Sequence, residues 1–386
     1  MSPRDVRSAL LATPVPDELE AQRRAWGVVK AAYVEREPVR RPRRLRLLVA
    51  LAVLAAALSA AALSPPGRAV GDWIRDRVAG EEETEPALVR LPSAGQLLVV
   101  SEGGPWLVRP DGSKRLLGAY DDASFSPSGR FVVATRGRRV VALEPDGDPR
   151  WSVTRPEQVA DARWAPRPGF HVAYRAGETL RVVGGDGTGD RLLAENVGEV
   201  APAWQPLEGR TVLAYADAAG RVHVAEAAGN ERWTADPGAP PAKLAWSSDG
   251  RFLLVVTSGL RHRFYGQGGR PAGVLRTPAS HTVLDAELEP GSRRVAYSAF
   301  DAESGRGIVV LGEERLQRVE GRISDLAFSP GGRWLLAGWP EADQFLFLRL
   351  PGVGRIVAVD DIRREFDPGD PGIGEFPQIS GWCCSR

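Results

Sequence analysis

Cysteine is almost missing from this chain. Two residues in 386 are cysteines, and they are neighbours, Cys383 and Cys384. One adjacent pair builds no disulfide framework, so the fold must rest on packed apolar surface. Histidine is nearly as scarce. His171, His223, His262 and His281 show no metal-ligand spacing, and neither an HExxH nor a CxxC motif occurs. There is no Gly-x-Ser-x-Gly elbow and no Walker-type loop. These absences leave no cofactor or metal to expect. The formal net charge is +1, so no global field argues for nucleic acid. Lysine is limited to Lys30, Lys114 and Lys243 against 47 arginines. With so much Ala, Gly and Pro, that usage points to a high-G+C bacterial coding sequence.

What the chain has is repetition. Phe125-Ser126-Pro127-Ser128-Gly129-Arg130-Phe131 leads into an apolar run, Val132–Ala134. Trp246-Ser247-Ser248-Asp249-Gly250-Arg251-Phe252 and Phe328-Ser329-Pro330-Gly331-Gly332-Arg333-Trp334 do the same. Each reads as a strand end, a tight turn and a second strand, because Pro presets φ and Gly accepts a positive one. Weaker copies stand at Leu91, Trp164, Trp204 and Leu288, and a final one at Trp382. The first seven anchors are 34, 39, 40, 42, 42 and 40 residues apart. A period near forty built from strands marks a propeller or array. Each unit adds a third strand, such as Val140–Leu143 or Phe345–Leu348. A turn follows (Pro110-Asp111-Gly112, Pro145-Asp146-Gly147, Pro351-Gly352), then a fourth strand such as Arg150–Val153. Four strands per repeat make a propeller blade.

The repeated turn resembles the Trp-Ser-Pro-Asp-Gly-Arg turn of TolB-type and WD-repeat-like β-propellers, over about residues 87–384. The resemblance implies a seven-bladed ring anchored by Phe125, Trp164, Trp204, Trp246, Leu288, Phe328 and Trp382. Trp382 has no blade behind it. Residues 376–384 should therefore return as a strand to the first blade and cover an edge that otherwise invites aggregation. The segment 360–375 before it reads as a loop rich in Asp, Gly and Pro. Residues 87–386 are assigned to the propeller.

The N-terminal quarter reads differently. Residues 1–46 carry a net +5 and the remainder a net −4. A helix capped by Asp17 is expected to run to about Glu37, with Leu19, Trp26, Val29 and Tyr33 on one face. Arg40, Arg41, Arg43, Arg44 and Arg46 follow, then the uncharged run Leu47–Leu63. That run reads as a transmembrane helix over 47–64, its apolar ridge carried by Leu47, Leu51, Leu54, Leu58 and Leu63. The arginine cluster sets the topology, with the N-terminus cytoplasmic and the propeller outside the cell membrane. Residues 65–86 form a stalk ending in an acidic linker. The fold class expected is all-β, a seven-bladed β-propeller preceded by a cytoplasmic helical leader and one transmembrane helix.

Chemistry is sparse. Asp161, Asp285 and Asp325 share one place in the repeat, three residues before an anchor. They either line a central channel or make turn hydrogen bonds. His223, between Val222 and Val224, reads as a strand-face residue. His262 with Arg261, Arg263 and Arg270 reads as a solvated basic blade edge that resists strand addition. Gly184–Gly189 lies between strands, so it is a turn and not a phosphate loop. Cys383 and Cys384 read as two small residues on the closing strand. The layout resembles that of membrane-bound anti-sigma regulators, without their zinc-binding signature. The expected function is a membrane-anchored binding or sensor protein, not an enzyme. Its propeller would hold a protein or small ligand, and its leader would dock a cytoplasmic protein. The alternatives are an extracytoplasmic hydrolase or lyase with a carboxylate-lined channel, and an envelope scaffold.

Overall fold

Apolar runs of four or five residues bounded by glycine turns can bury both faces only if sheets stack on both sides. That is the arrangement in the computed structural model. It describes residues 90–166, 170–207, 211–258, 261–278, 280–352, 354–367 and 374–384. They belong to one compact unit, Glu83–Arg386. The leader helix, the arginine cluster, the span with its five leucines, the stalk and the acidic linker lie outside the described residues. Among the described residues no helix is long and apolar enough to cross a membrane.

Seven antiparallel four-stranded sheets make seven blades of a β-propeller. Blade 2 is β4 (Asp122–Phe125), β5 (Val132–Arg136), β6 (Arg139–Leu143) and β7 (Pro149–Thr154), in that order from the centre outward. Blades 3 to 7 repeat the order. Their innermost strands are β8 (Val159–Trp164), β12 (Ala203–Trp204), β16 (Pro241–Trp246), β20 (His281–Leu288) and β24 (Leu326–Phe328). Blade 1 is built from both ends of the ring. β1 (Gln96–Ser101), β2 (Gly104–Val108) and β3 (Lys114–Leu116) come first in the chain, and β28 (Gln378–Cys383) supplies the innermost strand. β28 runs antiparallel to β1, pairing Trp382 with Leu97 and Ile379 with Val99. Leu91, the first of the weaker repeats, lies in no strand; Trp382 occupies the inner-strand end in blade 1.

The core is divided among the joints. Seven apolar clusters fill the seven blade–blade interfaces. Strand alternation does the sorting: Leu97 and Val99 face blade 7, while Leu98 between them faces blade 2. The joint between blades 7 and 1 takes Ile379 and Trp382 from the closing strand, and Phe347 meets the Trp382 ring edge-on at 5.6 Å.

The repeated turn is held by its serine. In blade 2 the Phe131 N–H donates to the Ser126 hydroxyl at 2.9 Å, and the Gly129 N–H donates to the Ser126 carbonyl at 2.8 Å. Ser247 and Ser329 do the same for Phe252 and Trp334, at 3.0 and 3.1 Å. All three hydroxyls are buried, and each offers an acceptor that the turn backbone would otherwise lack.

The segment expected as a loop before the closing strand contains a short helix, α1 (Ile362–Phe366). Ile362 and Phe366 are four apart, share one face and are fully buried against Trp106 and Phe345. The Asp and Gly residues around them masked this two-residue apolar stripe.

Candidate functional site

In every blade the innermost strand ends on an anchor, or one residue beyond it. Phe125, Trp164, Trp204, Trp246, Leu288 and Phe328 close β4, β8, β12, β16, β20 and β24, and Trp382 is next to last in β28. Two of the anchor tryptophans stitch blade to blade. Trp204 Nε1 donates to the Arg163 carbonyl at 2.8 Å, and Trp246 Nε1 to the Ala203 carbonyl at 3.1 Å.

The inner strands surround a central cavity of about 740 Å³. Phe125, Trp164, Trp204, Phe328 and Trp382, with prolines from the adjoining turns, supply its apolar lining. Six charged side chains share it: Asp122, Arg163, Lys243, Asp285, Glu287 and Asp325. Their places in the repeat are regular. Asp122, Lys243, Asp285 and Asp325 stand three residues before an anchor, and Arg163 and Glu287 stand one before. Residues two apart on a strand share a face, which turns both places toward the axis.

Of the three aspartates singled out by sequence, Asp285 and Asp325 line the cavity and Asp161 does not. The pairing of β8 with β9 (His171–Ala176) shifts register between Ala160 and Arg163, and Asp161 sits there with φ of 56°. The bulge turns it away from the lining and onto Arg175, at 2.5 Å. Asp122, Arg163, Lys243 and Glu287 escaped the sequence reading. The same spacing rule, extended to basic residues and to the place before the anchor, would have found them.

The charges form two groups. Arg163 pairs with Asp122 at 2.7 Å. Lys243 reaches Asp285 at 2.7 Å and Glu287 at 2.5 Å. Asp285 also accepts the Leu326 N–H at 2.8 Å, tying blade 6 to blade 7. Burial works against the Lys243 ammonium, but Asp285 and Glu287 outweigh it and hold its pKa above the usual lysine range. Glu287 is pushed up, chiefly by burial. Asp325 is pushed up to about 6 by burial and then by the Asp285 charge. The side chains of Lys243 and Glu287 keep about a third of their surface, 33% and 32%, so channel water softens these interactions.

A raised carboxyl pKa makes ionised Asp325 a cost to the fold. Below its unfolded pKa of 3.8 the acid is neutral in both states and the cost vanishes. Between about 4 and 6 the folded state holds the extra proton, so stability falls as pH rises. Asp325→Asn is therefore expected to stabilise the protein by about 2–3 kcal/mol at pH 7.5 and by almost nothing at pH 4. Urea unfolding at the two pH values checks this, and an equal effect at both would sink it.

His262 is not on a solvated edge. β18 (Arg261–Tyr265) is the third strand of blade 5, covered by β19 (Pro271–Arg276), and the His262 side chain is fully buried. Its Nδ1 accepts the Thr257 N–H at 3.2 Å, and burial lowers its pKa. Three neighbouring basic residues look like one patch in the sequence, but alternation along a strand separates the middle one. His223 does lie on a strand face, between Asp217 at 3.0 Å and Glu231 at 2.8 Å. Gly184–Gly189 is a turn, with the Gly187 N–H donating to the Gly184 carbonyl. Cys383 ends β28 and Cys384 follows it, its Sγ 3.7 Å from the Pro127 carbonyl oxygen of the blade 2 turn.

No family model matches the chain. No curated protein matches it either. Among solved structures it is similar to the C-terminal WD40 domain of Sif2, with a TM-score of 0.52 and 14% identity, over 67% of this chain and 79% of that one. It is also similar to Hsv2 of Kluyveromyces lactis, with a TM-score of 0.51 and 10% identity, over 67% of this chain and 90% of that one. At such identities the likeness is one of fold, and it agrees with the ring described above: the chain is a seven-bladed β-propeller of WD40-like architecture.

Proposed function

We propose that this protein is a membrane-anchored, TolB-like propeller of the bacterial envelope that binds a protein or small ligand at its channel. The observation that carries the reading is the central cavity, where an aromatic and proline lining adjoins paired charges. Apolar walls with a few convergent polar groups are the usual make-up of a binding site. The sequence supports the anchor: five arginines in residues 40–46, then seventeen uncharged residues. In this reading the propeller is extracytoplasmic, and the leader helix regulates a cytoplasmic partner when the channel fills. Binding is preferred to catalysis because Lys243 and Arg163 already hold three of the four channel carboxylates in ion pairs.

Fusion reporters at residue 20 and after residue 386 should report opposite sides of the membrane. A photo-cross-linker at Pro206 or Pro290, both on the cavity wall, should trap a discrete product in cells. Arg163→Glu should abolish that product. Reporters on one side, or trapping unaffected by the channel charge, would refute the reading.

A second reading rests on Asp325. A carboxyl titrating near 6 beside Asp285 suits general acid–base work in a hydrolase or lyase. Under that reading Asp325→Asn destroys turnover and leaves ligand capture intact.

A further inference from the structure

We propose that the ring docks on a bilayer of anionic phospholipid through one edge of its anchor-turn face, where blades 7 and 1 present five exposed arginines; the choice of a bilayer as occupant rests on the membrane-anchor reading above. In an up-and-down blade the turn after the first strand and the turn after the third open on the same face. In blade 7, β25 (Trp334–Trp339) starts at that face, β26 (Gln344–Arg349) ends there and β27 (Ile356–Val359) starts there again. Arg333, Arg349 and Arg355 stand at these three ends. Trp334 pairs with Arg349 across the ladder, the Leu350 N–H donates to the Arg333 carbonyl at 2.8 Å, and the Arg349 N–H donates to the Arg355 carbonyl at 3.0 Å.

The other two come from blade 1. The Leu91 N–H donates to the Pro110 carbonyl at 3.2 Å, which brings Arg90 and Arg109 to one turn. Leu91 packs with Trp334 and Phe347 in the joint between blades 7 and 1, so the two groups of arginines adjoin. All five are exposed. Among the described residues none of them pairs with a carboxylate. Asp111 shares the Arg109 turn, but it is taken up by the Ser113 N–H and hydroxyl at 3.0 and 2.7 Å.

The patch has borders. The matching turn of blade 2 carries Glu144, Asp146 and Asp148, and that of blade 6 carries Glu313 and Glu314, whereas residues 349–356 hold no acid. Like charges gathered without counter-charges repel one another, and an anionic surface offsets that cost. Guanidinium forks match phosphate oxygens two at a time. Ile356, 38% exposed beside Arg355, adds an apolar side chain suited to a headgroup layer.

The chain also reaches the ring at this edge. Arg90 belongs to the patch, and a Cβ on Gly95 would come within 2.8 Å of Pro330 in the anchor turn of blade 7 and 2.9 Å of the Cys383 carbonyl oxygen. Residues 64–89 separate the uncharged run from Arg90 and can span at most about 90 Å when extended. A tether of that reach brings the ring to the bilayer without orienting it. The arginines choose the edge that meets the lipid.

The test uses the full-length protein in nanodiscs of phosphatidylcholine with or without phosphatidylglycerol. Amide exchange at residues 109–113 and 354–357 should slow several-fold in the anionic discs alone. The turns at 136–139 and 301–305, on the opposite face, should not change. Salt at about 1 M, where the Debye length is about 3 Å, should remove the protection. Arg349→Glu/Arg355→Glu should lose it, and Arg138→Glu/Arg139→Glu, on the opposite face, should keep it. All four residues are exposed, so both variants should melt within about 2 °C of the parent. Equal exchange in the two lipids, protection on the opposite face, or protection that survives Arg349→Glu/Arg355→Glu overturns the proposal. Inorganic polyphosphate that protects the same segments as fully in phosphatidylcholine discs would assign the patch to a soluble polyanion and overturn it too. Entry into the discs reads the anchor separately. If the chain does not enter, the anchor reading fails and co-sedimentation with phosphatidylglycerol vesicles decides the docking. The parent should then bind, and Arg349→Glu/Arg355→Glu should bind about twentyfold more weakly; equal binding overturns the proposal.

Discussion

Truncation after Gly374 should turn this protein into an aggregating, protease-sensitive chain, while truncation after Cys384 should leave its melting temperature unchanged. The first cut removes β28, the innermost strand of blade 1. Ile379 and Trp382, 8% and 7% exposed, leave the joint between blades 7 and 1. Phe376, whose ring meets Phe345 at 5.6 Å, goes with them. At about 1.5–3 kcal/mol per large buried side chain, the loss of Ile379 and Trp382, with a smaller share from half-buried Phe376, takes much of the 5–15 kcal/mol that a native domain typically holds. The geometric loss is as serious. β1 becomes an unpaired inner edge, and the Ser380 hydroxyl no longer reaches the Ala123 carbonyl of blade 2. Calorimetry and limited proteolysis of the two truncations provide the measurement. An unchanged melting temperature after the deeper cut would show that the ring closes without β28.

Lys243→Met should be the most damaging single substitution in the channel, costing about 2–4 kcal/mol at pH 7.5. Removing one partner of a buried ion pair typically costs 3–5 kcal/mol, because the surviving charges stay buried without compensation. Here Asp285 and Glu287 would face each other and Asp325 with no cation among them. The lower figure allows for the third of the lysine surface that meets channel water. The sign with pH follows from the shifts. The Lys243 pKa is raised, so its contribution is complete below the unfolded value of 10.5 and is lost only in strong alkali. The deficit of the variant should therefore shrink as pH falls from 7.5 to 4.5, as the orphaned carboxylates take up protons. Adding Glu287→Gln should recover a good part of it. Urea midpoints at the two pH values decide, and a variant as stable as the parent at pH 7.5 would refute the account.

β28 was legible from sequence because an anchor aromatic stood at Trp382 without a blade to follow it. A propeller motif is a local pattern of turn and strand, and seven of them in phase fix the number of blades. The Lys243 cluster was not legible in the same way. Asp285 lies 42 residues from Lys243 in the chain, and only the ring brings one inner strand beside the next. The turn serines stand plainly in the sequence, but what distinguishes Ser126, Ser247 and Ser329 is their burial, which exists only in the packed ring.

By itself, then, the sequence determined the repeat and the four-strand blade, since each is written in turns and strands within one period, and the returning strand, since Trp382 repeats that local pattern with no blade behind it. It also determined the segregation of charge and apolar length before residue 64, which composition alone decides. Tertiary structure decided the rest. It settled which carboxylates meet the channel, because one bulge at Asp161 breaks the spacing that Asp285 and Asp325 obey. It buried His262 between strands and docked Ile362 and Phe366 into a joint. It placed the cysteine pair between two anchor turns. All of these depend on which surfaces face one another once the ring is shut, and closure is a property of seven blades together rather than of any stretch of chain.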